Sequence, residues 1–112
     1  MDKTLTKKTL KKLKELKLTA YQRELDEHLS KLSVKFNDWK NKKITAMVLR
    51  DHIYDFDKGP SKKISGFYDY FDDHICVARA VDTGILKKEE VPEDILELID
   101  RNIDSFKRLE KI

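Results

Sequence analysis

The chain has 112 residues, 24 of them Lys or Arg and 21 Asp or Glu, a length that holds one domain around one hydrophobic core. Apolar residues make up 39% of it, which excludes compositional disorder, and its apolar runs are far too short for a membrane-spanning helix or a secretory leader. One cysteine, Cys76, and three glycines exclude a disulfide framework, a cysteine-based zinc site and a glycine-rich phosphate loop, so a soluble, cytoplasmic chain without membrane insertion is expected.

Charge is unevenly placed. Residues 1–18 carry seven lysines against Asp2 and Glu15, whereas the rest of the chain is close to neutral. This predicts a basic N-terminal arm over 1–18 and a helical domain over 19–112. The arm reads as helical, with Leu5, Leu10, Leu13 and Leu16 on one side and lysines over the remainder. Lys7, Lys8, Lys11, Lys12, Lys14 and Lys17 are its candidate polyanion-binding residues. The arm lacks arginine and aromatic side chains, so any nucleic-acid contact is expected to be weak and blind to sequence.

From about residue 20 to 42, Tyr21, Leu25, Leu29, Leu32, Phe36 and Trp39 fall within roughly an 80° arc of a helical wheel, and Thr19 with Gln22 has capping-box spacing. Thr45 can cap a shorter helix over 46–57, which Gly59-Pro60 is expected to stop. Ser61 can open a third helix bearing Ile64, Phe67, Tyr68 and Phe71, recapped at Asp72 or Asp73. The next, through Ile75, Ala78 and Val81, should end at Thr83-Gly84. Val91 is placed as a hydrophobic staple before Pro92, which opens a last helix carrying Ile95, Leu96, Leu98, Ile99, Ile103, Phe106 and Leu109. No segment follows the two-residue period of a strand. The expectation is an all-α bundle of four to six helices, with Leu32, Phe36, Trp39, Phe56, Phe67, Phe71, Ile99 and Phe106 in its core.

Two segments, 51–57 and 69–74, bring aspartates close to His52 and His74 and pose a metal-binding alternative. Their spacing is poor for it. His52 and His74 each project away from the helix face that their neighbouring aspartates share, and neither the Glu-x-x-His nor the His-Glu-x-x-His pattern occurs. An EF-hand loop begun at Asp55 would need glycine at Pro60 and glutamate at Gly66. No metal ligands, cofactor or catalytic residues are assigned: His52 has no nucleophile to serve, and Cys76 no evident base.

Met47, Tyr54 and Tyr70 exceed what the local core faces need, and exposed aromatic and methionine side chains favour protein interfaces. They are the candidate partner-binding residues. Asn102, inside the last stripe, can set register in a helix pair.

The stretch Asp51 to Gly59, with Ala78-Arg79-Ala80, Gly84-Ile85-Leu86 and Glu89-Glu90-Val91-Pro92, resembles a set of small helical bacterial proteins of unknown function. The resemblance spans roughly residues 20–100. It departs at Tyr54 and Asp57, where that set favours histidine. It implies a self-contained helical domain and supplies no activity. The function expected from the residues is a small, non-catalytic helical interaction or regulatory module that binds a protein partner or itself. A weak nucleic-acid accessory role and the metal-binding role are the alternatives.

Overall fold

Residues 6–100 are described by the computed structural model, and within them every long segment with a 3.6-residue period is helical. The elements are α1 (Lys7–Lys40), α2 (Ala46–Phe56), a π-helical turn (Asp57–Ser61), α3 (Lys62–Tyr70), α4 (Asp73–Asp82) and a 3-10 turn (Lys88–Glu90). A fifth helical stretch, α5, occupies 93–100, and no strand occurs among the described residues. The fold is all-α.

Helix α1 runs unbroken through residue 19, which corrects the helix start expected near residue 20. Its N-cap is Thr6, whose hydroxyl accepts from the Thr9 N–H at 3.1 Å. Thr19 lies in the interior, so the Thr19/Gln22 capping box is unused. The physical reason is that residues 7–40 contain neither glycine nor proline, and that Leu13 and Leu16 are buried in the core and anchor the basic segment to it. At 1.5 Å per residue, its 34 residues span about 51 Å. This rod sets the long axis of a molecule measuring 61 × 32 × 21 Å.

The second correction lies at Gly59-Pro60. The chain does not break there. Backbone on either side stays right-handed helical, at Phe56 (φ −62°, ψ −48°) and Lys62 (φ −69°, ψ −40°), and the turn between them is widened. In an α-turn, the Pro60 ring would meet the carbonyl four residues back and leave it without a donor. Widening to the π register relieves that clash while the helix continues. Residues 46–70 thereby form one helical rod that returns antiparallel along α1. The ring of Tyr68 stacks on that of Tyr21, 4.8 Å between centroids and 4° between planes.

Cross-chain contacts fix the remaining directions. Asp73 lies beside Lys14 and Lys17, and Arg79 beside Glu24, so α4 runs parallel to α1. Arg23 holds Glu90 and the Ile85 carbonyl, and Thr9 reaches Asp94, so the chain from 85 onward turns back toward the start of α1. The Pro92 carbonyl accepts from the Ile95 and Leu96 N–H groups and begins α5.

The buried cluster joins Leu13, Leu16, Ala20, Ile64, Tyr68, Cys76, Val77, Ala78, Ala80, Leu86, Val91, Ile95 and Ile99. All of it surrounds the N-terminal half of α1. Of the expected core, Ile99 is buried and Phe67 and Phe71 pack against this cluster. Leu32 and Phe56 are half-buried, Phe36 and Trp39 are exposed, and Phe106 lies outside the described residues. The reason is length: α1 outruns the buried cluster, and among the described residues its last turns are flanked mainly by α2, which buries only Leu49.

Candidate interaction surface

Helix α2 starts where Thr45 caps it, the hydroxyl accepting from the Val48 N–H at 3.2 Å. That start turns Leu49 toward α1 and puts Met47 and Tyr54 together on the opposite side, since seven residues make almost two turns. Both are open to solvent, 63% and 61% exposed, and Tyr70 at the end of α3 is 81% exposed. Lys58 Nζ lies 5.8 Å from the centre of the Tyr54 ring, and Tyr70 meets only the edge of Phe71, 4.8 Å between ring centres at 89°. Neither contact buries its tyrosine.

The six lysines of the predicted arm divide. Lys7, Lys8 and Lys11 are exposed and Lys12 is half-buried. Lys17 is tied to Asp73 at 3.1 Å, and Lys14 approaches the same carboxylate at 3.5 Å. Burial alone would raise Asp73, but the hydrogen bond and charge of Lys17, aided by Lys14, hold it below its ordinary range. Two of the six thus serve the fold.

Segments 51–57 and 69–74 do not converge. Among the described residues no three His, Cys, Asp or Glu side chains are grouped to hold an ion. His52 and His74 are half-buried. Cys76 is fully buried, its thiol facing the Phe71 carbonyl at 3.5 Å, and burial pushes that thiol up to about 11. It is no nucleophile at neutral pH. Asn102 lies outside the described residues.

One polar cluster was not anticipated. The Glu24 carboxylate receives two bonds from Arg79, at 2.7 and 3.3 Å, and one from the Tyr68 hydroxyl. Burial works to raise Glu24, yet the Arg79 and Tyr68 hydrogen bonds outweigh it and hold the carboxyl below its ordinary value. Burial and the neighbouring carboxylate push Tyr68 well above the usual tyrosine range. The guanidinium also lies 4.5 Å over the Phe67 ring. Every buried side-chain nitrogen or oxygen among the described residues has a partner, so the cluster is closed on itself and presents no free catalytic group. The signal for it was Arg79 itself, a lone charge between Ala78 and Ala80.

Comparison of the chain with protein families, curated proteins and solved structures gives no match. No helix among the described residues is long and apolar enough to cross a membrane.

Proposed function

We propose that this protein is a non-catalytic, cytoplasmic helical module that binds another protein through the outward side of the 46–70 rod. One observation carries this reading: among the described residues, Tyr70, Met47 and Tyr54 are the three most exposed large apolar side chains. Tyrosine and methionine supply large contact area at interfaces, and the buried cluster among the described residues includes none of these three. The buried, free Cys76 fits a reducing compartment.

The test is a paired substitution, Tyr54→Gln with Tyr70→Gln. Association measured by sedimentation, or by capture of a partner from the native lysate, should fall while cooperative unfolding persists, because exposed sites usually shift stability by less than about 0.5 kcal/mol. A wild-type protein that stays monomeric and captures nothing, or a doubly substituted protein that unfolds, would overturn the reading.

A further inference from the structure

Residues 41–45 turn the chain from α1 into α2, at the end of α1 away from the buried cluster. Positive charge concentrates at this tip. Residues 35–50 carry Lys35, Lys40, Lys42, Lys43 and Arg50 against the single carboxylate of Asp38. Lys40, Lys42 and Lys43 are exposed, and among the described residues none of the three belongs to an ion pair. Lys14 and Lys17 differ, since Asp73 already meets their charges.

Apolar side chains are interleaved with these lysines. Ile44 and Val48 join Trp39, Lys42 and Lys43 in lining a shallow groove of about 480 Å³. Trp39 is 42% exposed, Val48 40% and Met47, beside it in the first turn of α2, 63%. A lysine can keep its ammonium group in water while its methylene stem lies on an apolar layer. Tryptophan favours the same depth, its ring apolar and its N–H wet. Among acidic partners, single-stranded nucleic acid calls for several rings on which successive bases stack. The tip supplies one, and Ile44, Met47 and Val48 are aliphatic. An acidic helix calls for a groove several turns long, whereas this one reaches about one turn into α1 and α2. Lysines around a small indole and aliphatic patch, at one end of an elongated molecule, match the anionic surface of a bilayer.

We propose that the tip between α1 and α2 adsorbs on an anionic phospholipid surface, with Trp39, Met47 and Val48 entering the headgroup layer and Lys40, Lys42 and Lys43 meeting its negative groups. Adsorption of this kind requires no membrane-crossing helix. The proposal goes beyond the protein-binding reading and leaves Tyr54 and Tyr70 to a partner. Met47 is common to both, so the two are tested on other residues and fail separately.

The probe is a vesicle of phosphatidylcholine with about 30% phosphatidylserine, compared with one of phosphatidylcholine alone. Trp39 is the only tryptophan in the chain, so its emission reports contact directly. The acidic vesicles should move that emission to shorter wavelength and carry the protein down on sedimentation, and neutral vesicles should bind at least about tenfold more weakly. Added salt should weaken the acidic binding. Lys42→Gln with Lys43→Gln should weaken it by about tenfold or more with helicity kept, since both side chains are exposed and unpaired. Trp39→Gln, read by sedimentation, should weaken it as well. Lys7→Gln with Lys11→Gln lies at the other end of α1, about 51 Å away and several screening lengths distant, and should change binding by less than about twofold. Equal binding to both vesicles, no loss in the Lys42/Lys43 variant, or an equal loss in the Lys7/Lys11 variant would overturn the proposal. So would oligothymidylate binding more tightly than the acidic vesicles, which would assign the tip to nucleic acid.

Discussion

Arg79 closes a two-point contact on Glu24, its guanidinium nitrogens 2.7 and 3.3 Å from the two carboxylate oxygens, and this pair pins α4 to the middle of α1. The carboxylate is 14% exposed and the guanidinium 25%. Water is therefore largely absent from the contact. Removing one partner leaves the other charge poorly solvated, whereas removing both leaves no orphan. Glu24→Gln and Arg79→Met should each destabilise the protein by about 2 kcal/mol in urea unfolding. The double substitution should cost clearly less than their sum. Additive costs would show that the pair is not coupled.

The same contacts fix how stability responds to acid. Glu24 and Asp73 sit below their ordinary values of 4.5 and 3.8, and Glu90 is drawn down to about 2 by Arg23 and the Lys87 N–H. In each case the folded carboxylate takes up a proton less readily than the unfolded one. Their contribution is therefore full above about pH 5 and is lost as pH falls through the folded-state values. Glu90 is half-buried at the surface, and its pairing with the more exposed Arg23 contributes little after solvent screening. The urea midpoint should hold between pH 7 and about 5 and then drop, and Glu24→Gln should flatten the drop. A profile unchanged in that variant would assign the acid response elsewhere.

Local rules located what local chemistry decides. Thr45 caps α2, and α4 ends at Asp82 before Thr83-Gly84, as the residues require. They failed at Pro60, because the stop rule assumes an α register and the chain changes register to accommodate the ring. Periodicity aligned Phe36 and Trp39 with Leu25 and Leu32, but it reports which residues share a side and not whether anything covers it. Coverage depends on α1 being longer than the bundle, which follows from its continuity past Thr19. The Glu24 contact was illegible as a pair, since 55 residues separate its members. Met47, Tyr54 and Tyr70 were legible as surplus by their angle alone.

Position along α1 should decide the cost of truncating its apolar side chains. Leu13 is 1% exposed and enclosed by the core, so Leu13→Ala should cost about 3 kcal/mol through lost burial and the cavity left behind. Trp39 lies beyond the bundle, and Trp39→Ala should cost much less despite its size. Equal losses in denaturant unfolding would contradict the placement of the core around the N-terminal half, and with it the anchoring of the basic segment.

Two helix ends make an opposite pair of predictions at a single backbone geometry. At the end of α1, the Lys43 N–H bonds the Asp38 carbonyl at 2.8 Å and the Lys42 N–H bonds that of Trp39 at 3.0 Å, a Schellman closure that needs a left-handed residue between them. Lys42 takes that position, with φ 62°. The equivalent position after α4 is Gly84, with φ 84° and its N–H on the Val81 carbonyl. A side-chain Cβ is crowded by the backbone in this conformation, at roughly 1 kcal/mol for a residue other than glycine. Lys42→Gly should therefore raise stability by up to about 1 kcal/mol and Gly84→Ala should lower it by a similar amount, although no atom near Gly84 would obstruct the new methyl group. The strain in both cases is in the backbone and not in packing. Thermal unfolding of the two variants checks it: shifts of opposite sign are expected, and a stabilising Gly84→Ala would show that the turn after α4 relaxes out of the left-handed region.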